Sequence, residues 1–513
     1  MNCRRRRQAK YCESCFRGNN ITAGFWRGTP RLFLEKGDHD GEFAAINRRI
    51  DGEKGARCAG RRRGENRQAA RERLLTARER IDLLVDAETF IEFGQLNTSD
   101  QPGLEETTYG DGLVAGIGKV NGRSAVIIAG DKTVLAGTEG SVHLRKSRQM
   151  HALAVRNGLP MFFLHEGGGL RMPDGMGSDG ISDKLFPREL LTHHRQVPTM
   201  AAILGDSYGG PTWTAVSCDF VTQLKGTCMA IAGPRMLELA NGQRIAPDEL
   251  GGVDIHHQYT GQIDADGETE AECIEQLKRF FSYMPQNANE RPPMRKTNDD
   301  PYRMVEEVFS ILPDRRSRVY DMRRIIACLV DDGDYFEYQK QFGKALITAL
   351  AHLNGHVVGI IANQPSQYAG APGPQECQKA TEFICLCDSY HIPLIFLHDT
   401  PGFRISVEAE KAKMATKIMV WNQALALSTV PKISVVIRKS IGAAYGNMCG
   451  PGMGRMLLSP GRARKSISPV RKSASTSYTA ASLNAPTTRM SGVRSCSSSG
   501  RLTARRTGRR ANI

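Results

Sequence analysis

GLPMFFLHEGGGLR occupies residues 158–171, and HIPLIFLHDTPGFR occupies 391–404. At a spacing of 233 residues, Pro160, Phe163, Leu164, His165, Gly169 and Arg171 coincide with Pro393, Phe396, Leu397, His398, Gly402 and Arg404. The register holds on both sides. Asn121-Gly122 falls on Asn354-Gly355, Ile127-Ile128-Ala129 on Ile360-Ile361-Ala362, Val197-Pro198 on Val430-Pro431, and Gly209-Gly210 on Gly442-Ala443. Three strand-like stretches that keep one offset without a net insertion read as two copies of a domain, over roughly 110–235 and 343–458. A period this long means domain duplication, not a solenoid.

Short β-rich runs alternate with helical ones, as in RSAVIIAGD (123–131), HLRKSRQMHALAVRNG (143–158) and LPMFFLHEG (159–167). VVGIIAN (357–363) and PLIFLHD (393–399) are apolar on both faces, as expected where helices cover a sheet from both sides. The fold class is therefore α/β. Upstream, Leu74, Leu75, Ile81, Leu84 and Val85 fall near helical spacing between Arg and Glu, which predicts an amphipathic helix entering the first domain. The expected layout is an irregular basic leader over 1–65, a first domain over 66–290, a linker over 291–305 and a second domain over 306–458. Residues 459–513 hold almost no large apolar side chain and no acid, so burial there cannot offset the entropy of ordering.

The net charge of +15 belongs to the two ends. Residues 1–75 carry 19 Lys/Arg against 9 Asp/Glu and residues 459–513 carry 12 against none, which leaves 38 basic and 45 acidic residues over 76–458. A body of that sign has no stripe for tracking phosphates, so no nucleic-acid partner is expected. The 13 cysteines form no even framework, and Cys12 and Cys15 make a single C-x-x-C without a second pair. No metal site is expected, and a reducing compartment fits. No run approaches the ~18 apolar residues of a membrane span, so no membrane anchor is expected. A cytoplasmic location follows, with the mitochondrial matrix left open by the Arg-rich, acid-poor start.

Each copy has two glycine-containing turns after a buried strand. They are 166–169 and 206–211 in the first copy, 399–402 and 440–445 in the second. Glycine before a helix lets a ligand oxygen approach backbone N–H groups, with the helix dipole adding positive character, and two such groups make an oxyanion hole. Strand-to-helix turns also use glycine for tight geometry, and residue types alone leave both readings open. Neither a G-x-G-x-x-G, a P-loop nor a G-x-S-x-G elbow occurs at these turns. His165 and His398 stand beside Glu166 and Asp399, but neighbours on a strand point to opposite faces, so both histidines read as structural. Arg171 and Arg404 are expected to hold the neighbouring acid in a salt bridge, with a ligand anion as the other reading.

Further blocks extend the pattern. LTARERIDLLVD (75–86) and FIEFG (90–94) are followed by YGDGLVAGIGKVNGR (109–123), GDKTVLAGTEGSVH (130–143), EGGGLR (166–171) and GDSYGGPTW (205–213). ELGG (249–252) then precedes His256, and ANQP (362–365), FICLCDSYHIPLIFLHDTPGF (383–403) and VPKISVVIRKSIGAAYGNMCG (430–450) complete the series. In this order, over 71–454, they resemble the carboxyltransferase β subunits of biotin-dependent acyl-CoA carboxylases, of the propionyl-CoA, methylcrotonoyl-CoA and acetyl-CoA types.

The resemblance implies tandem crotonase-like ββα-superhelix domains, and carboxyl transfer from carboxybiotin to the α-carbon of an acyl-CoA. It implies that the Gly209 and Gly210 amides hold the thioester enolate while Gly168 and Gly169 line the substrate. Ala443 and Ala444 would face the biotin ureido oxygen, beside Gly442 and Tyr445. Biotin itself would take the α-proton, which agrees with the lack of an obvious side-chain base. The implied partners are a subunit bearing biotin carboxylase and the biotin carboxyl carrier domain, and further copies of this chain in a dimer of trimers, with each site shared between protomers. A decarboxylase subunit running the transfer in reverse is the alternative. After Leu458 the family pattern gives way to the Arg/Ser tract, which reads as an incomplete second copy followed by an out-of-frame product, and so as a chain whose activity is in question.

Overall fold

The computed structural model describes residues 74–175, 191–315, 318–450, 452–454 and 457–460. Two sheets account for the duplicated phrase. The first contains β1 (Ile91–Phe93), β2 (Leu113–Val120), β3 (Arg123–Gly130), β4 (Met161–Gly167), β5 (Thr199–Tyr208), β6 (Phe220–Leu224), β7 (Met229–Ala230) and β8 (Ala265–Gly267). Its order is β1-β2-β3-β4-β5-β6-β8, with β7 paired to the end of β5. The second contains β9 (Tyr335–Tyr338), β10 (Leu346–Leu353), β11 (His356–Asn363), β12 (Leu394–Thr400), β13 (Lys432–Ser440) and β14 (Leu457–Pro460), in the order β14-β13-β12-β11-β10-β9.

The sheets share their local chemistry. Asn121-Gly122 joins β2 to β3 with φ of 52° and 76°, and Asn354-Gly355 joins β10 to β11 with φ of 48° and 77°. Two consecutive positive φ values mark the hairpin turn whose twist matches the strands, and Asn-Gly is the pair that adopts it most readily. Both sheets then continue in parallel, and both shift register at the same place. The shift lies between His165 and Gly167, where Gly167 pairs with Ser207, and between His398 and Thr400, where Thr400 pairs with Ser440.

The principal helices are α1 (Ala77–Leu84), α2 (Ser141–Asn157), α3 (Gly210–Val216), α4 (Glu270–Tyr283), α5 (Met322–Leu329), α6 (Pro374–Ser389), α7 (Met414–Leu427) and α8 (Ala444–Asn447). Thr76 and Glu79 form a reciprocal capping box that starts α1, the predicted entering helix. α2 ends on Gly158 at φ 63°, the left-handed stop that glycine favours. Residues 284–304 contain neither helix nor strand.

Strand alternation divides the core. On β4, Phe162 packs into one cluster and Phe163 into another. The Phe162 cluster is common to both copies, joining Phe220 and Phe280 to Phe336, Phe383 and Trp421. The outer face of the first sheet buries Ile128, Phe163 and Ile203 with Met150 and Ala154 of α2, and that of the second buries Ile347, Ile360 and Leu397 with Met322 and Ile326 of α5. The fold is α/β, two repeated units sharing one core, as the duplication predicts.

Candidate active site

Just beyond the register shift, after the Gly167–Ser207 pair, β4 and β5 end and the two glycine turns of the first copy come together. A Cβ on Gly209 would lie 3.9 Å from Gly169 Cα, and one on Gly169 would lie 2.8 Å from Tyr208 O. The second copy repeats this contact, with a Cβ on Gly442 also 3.9 Å from Gly402 Cα. Gly209 and Gly442 share a φ of 67°, a region where a side chain is strained.

Accounting for the amides changes the expected pairing. Gly209 N–H donates to Ala230 O at 3.2 Å, because β7 lies against the end of β5, and Gly168 N–H donates to Ala136 O at 3.2 Å. Both N–H groups thus have a main-chain acceptor in this structure. Among the described residues, the amides of Gly169 and Gly210 have no acceptor, so the open pair takes one donor from each turn. In the second copy Gly402 N–H donates to Thr400 Oγ1 at 3.2 Å, and the amides of Gly442, Ala443 and Ala444 have no acceptor among the described residues. Pro211, at the position matching Ala444, has no N–H, so the second copy presents a donor that the first lacks. α3 and α8 run for only seven and four residues, so these backbone groups themselves, more than a helix dipole, supply the positive character.

Gly210 is buried and Ala443 is exposed. Ala444 is fully buried, and the half-buried Tyr445 ring meets His398 edge-on at 6.0 Å. His398 Nδ1 lies 2.9 Å from Ser440 Oγ, and His165 stacks on Phe163 at 5.6 Å. Burial pushes His165 down to about 3, so it is neutral near pH 7 and fits the structural role read from its position.

The arginines bind acids other than their neighbours. Arg171 donates to Asp111 Oδ1 at 2.6 Å, and Arg404 donates to Glu376 Oε2 at 2.8 Å while stacking over Tyr368. Each lies where a side chain on the glycine preceding α2 or α6 would go: Cβ atoms on Gly140 and Gly373 would collide with Arg171 and Arg404. Both arginines therefore brace the start of the helix that follows β3 or β11. Glu166 instead meets Arg80 and Lys132, and Asp399 accepts from Tyr320 Oη at 2.7 Å beside Arg438 Nε at 3.0 Å.

Sequence reasoning passed over Glu139. Its carboxyl fills the space beside Gly210, and a Cβ at Gly210 would lie 2.7 Å from Glu139 Cδ. Burial pushes this carboxyl up to about 7. The only signal was a lone acid in the glycine-rich TEGS (138–141). Among the described residues no group of three or more His, Cys, Asp or Glu could hold a metal ion, and no helix is long and apolar enough to cross a membrane.

The family described as carboxyl transferase domain matches residues 67–498. The chain belongs to it. The match runs beyond Leu458, farther than the quoted motifs reach. Apart from Ser459 and Pro460, residues 459–513 lie outside the described ones, as does the leader, so the out-of-frame reading of the tail falls there too.

This carboxyltransferase is 33% identical over 378 residues to the propionyl-CoA carboxylase beta chain of Roseobacter denitrificans, covering 72% of this chain and 73% of that one. It is 35% identical over 391 residues to the biotin-dependent long chain acyl-coenzyme A carboxylase beta4 subunit of Mycobacterium tuberculosis, covering 75% and 74%. The methylmalonyl-CoA decarboxylase subunit alpha of Veillonella parvula is 33% identical over 384 residues, covering 74% of this chain and 75% of that one. Transcarboxylase 12S, solved as a hexamer with methylmalonyl-coenzyme A and methylmalonic acid bound, superposes with a TM-score of 0.74 at 31% identity over 80% of this chain and 82% of that one. The carboxyltransferase is thus an enzyme of the biotin-dependent acyl-CoA carboxylase type.

Proposed function

We propose that this chain transfers a carboxyl group from carboxybiotin, carried on a partner subunit, to the α-carbon of an acyl-CoA, and works as a homo-oligomer of the dimer-of-trimers kind. The observation that carries the reading is the duplicated turn pair: each copy joins two glycine turns at one register shift and leaves main-chain donors without an acceptor among the described residues. The amides of Gly169, Gly210 and Ala444 are buried without an acceptor among the described residues, and such groups in a native fold call for a ligand acceptor; Gly442 and Ala443 are exposed and add open donors beside Ala444. Gly210 and Gly169 would stabilise the thioester oxygen as negative charge develops on it, which lowers the barrier to forming the enolate. Gly209 and Gly168 shape the approach but do not donate. Gly442, Ala443 and Ala444 fit a ureido oxygen, since three adjacent main-chain amides suit a neutral carbonyl gaining negative character. Carboxybiotin, when bound, supplies the carboxyl group. Tyr445 and Gly442 would border that oxygen. The decarboxylase reading uses the same donors in reverse, and the relative from Veillonella keeps it in view.

Ala443→Pro tests the reading cleanly. Its φ of −64° suits proline, its amide has no acceptor to lose among the described residues, and its side chain is exposed. In the full chain assembled with a biotin-bearing carboxylase partner, carboxylation of propionyl-CoA and acetyl-CoA should fall by about 10²–10³-fold with Tm unchanged. Undiminished turnover in that variant rejects the second-copy cradle. Gly210→Pro, read against Gly210→Ala as a steric control, applies the same test to the first.

A further inference from the structure

The reaction proposed above leaves the Glu139 carboxyl without a purpose. The residue is 8% exposed, and its Oε2 is buried with no hydrogen-bond partner among the described residues. Its backbone is fixed, with its N–H donating to Gly169 O at 2.8 Å and its C=O accepting from Arg171 N–H at 2.9 Å. The carboxyl is therefore held against Gly210 from a segment bonded to the facing turn. A cavity of about 30 Å³ adjoins it, lined by His165, His143, Thr214 and Pro211, and His165 Nε2 is also buried, without a partner among the described residues. Leaving such a carboxyl unpaired costs stability that a leucine would not.

The titratable groups around it do not neutralise it. On α2 stands His143, and on β4 stand His165 and Glu166; Arg171 and Asp174 follow β4, Asp111 precedes β2, and α3 contributes none. Burial holds both histidines near 3, hence neutral. Arg171 is engaged by Asp111, and Glu166 by Arg80 and Lys132.

We propose that Glu139 is a positioning residue for the thioester hole, acting through Gly210. Protonated, it leaves the Gly210 amide free to hold a developing enolate oxygen; ionised, it sets a like charge against that oxygen and slows transfer. The inference rests on the proposed role of Gly210. Burial alone lifts this carboxyl into the neutral range, so its charge changes where the enzyme works. Like charges a few ångströms apart in partly desolvated surroundings oppose one another by enough to change a rate at least about tenfold.

The test is the pH dependence of kcat/KM for propionyl-CoA in the assembled enzyme, which reports groups in the free enzyme. The ratio of Glu139→Gln to wild type should rise from near one at about pH 6 to about ten at about pH 8.5. In parallel, infrared difference titration of the wild-type protein should show one buried carboxylic acid ionising over the same interval, absent from the variant. A constant ratio across that range overturns the proposal, and so does a Glu139 band that titrates outside it. Failure of the Gly210 reading is separately visible, as undiminished turnover in Gly210→Pro, so the two ideas fall by different results.

Discussion

Glu139 also bears on stability, with a sign that can be worked out. Its ordinary value is 4.5 and burial raises it to about 7, so the folded state favours the neutral acid. A carboxyl raised in this way costs nothing below about pH 4.5. Its penalty grows as pH climbs from there through about 7, where folded and unfolded forms are both ionised and the loss levels off. Glutamine has no charge to bury, so Glu139→Gln should match wild type near pH 4 and exceed it above pH 7 by roughly 3 kcal/mol. Urea denaturation across that range measures the difference, and equal stabilities at pH 8 would place the carboxyl in water. None of this was legible in TEGS, because burial of one acid depends on Gly210, which lies 71 residues away in the chain.

At the level of elements, α1 is held by Arg80, which is 1% exposed. Its Nε donates to Glu270 at the start of α4 at 2.5 Å, its Nη1 to Glu166 at the end of β4, and its Nη2 to Leu204 O on β5 at 3.2 Å. One guanidinium thus ties the entering helix to a second helix and to both strands that lead to the site. Replacing it with Met keeps the bulk but, among the described residues, leaves Glu166 only the half-exposed Lys132 and Glu270 only the Leu75 amide, and removal of one partner from such a set costs about 3–5 kcal/mol. Arg80→Met should lower the denaturation midpoint accordingly, while Arg80→Met combined with Glu270→Gln should recover part of the loss. Loss no greater than at an exposed arginine would show that the set contributes little. The helix itself was readable from Ile81, Leu84 and Val85, because local periodicity records which face is buried. Its anchor was not, since pairing across 86 and 190 residues leaves no local trace. The same limit explains Arg171 and Arg404, whose acids lie 60 and 28 residues upstream, and Gly209, whose amide is taken by a two-residue strand too short to predict. The strands, the Asn-Gly hairpins and the paired turns were legible because the duplication presents each of them twice.

Among the described residues, the shared core leaves apolar side chains uncovered on several elements, and one of these elements borders the site. The helix Pro234–Asn241 buries none of its residues, exposes Met236 and Leu239, and follows Ile231, which is 76% exposed. It begins at Gly233, whose Cβ would lie 3.2 Å from the Tyr208 ring, so it stands beside the first-copy turns. An amphipathic helix with an open apolar face is unstable in isolation and gains by packing on a partner. The proposed homo-oligomer supplies that partner as a second copy of the chain, which would place the covered face next to the thioester hole and make assembly a condition for activity. Met236→Glu with Leu239→Glu puts two carboxylates on this face without touching a buried side chain, so the single chain should keep its circular dichroism and its near-ultraviolet signature. Sedimentation should show a shift to smaller species, and carboxylation should fall in proportion to the assembled fraction, recovering at higher protein concentration as mass action demands. An unaltered oligomer with full turnover would mean that this helix faces solvent in the working enzyme and that the copies meet elsewhere.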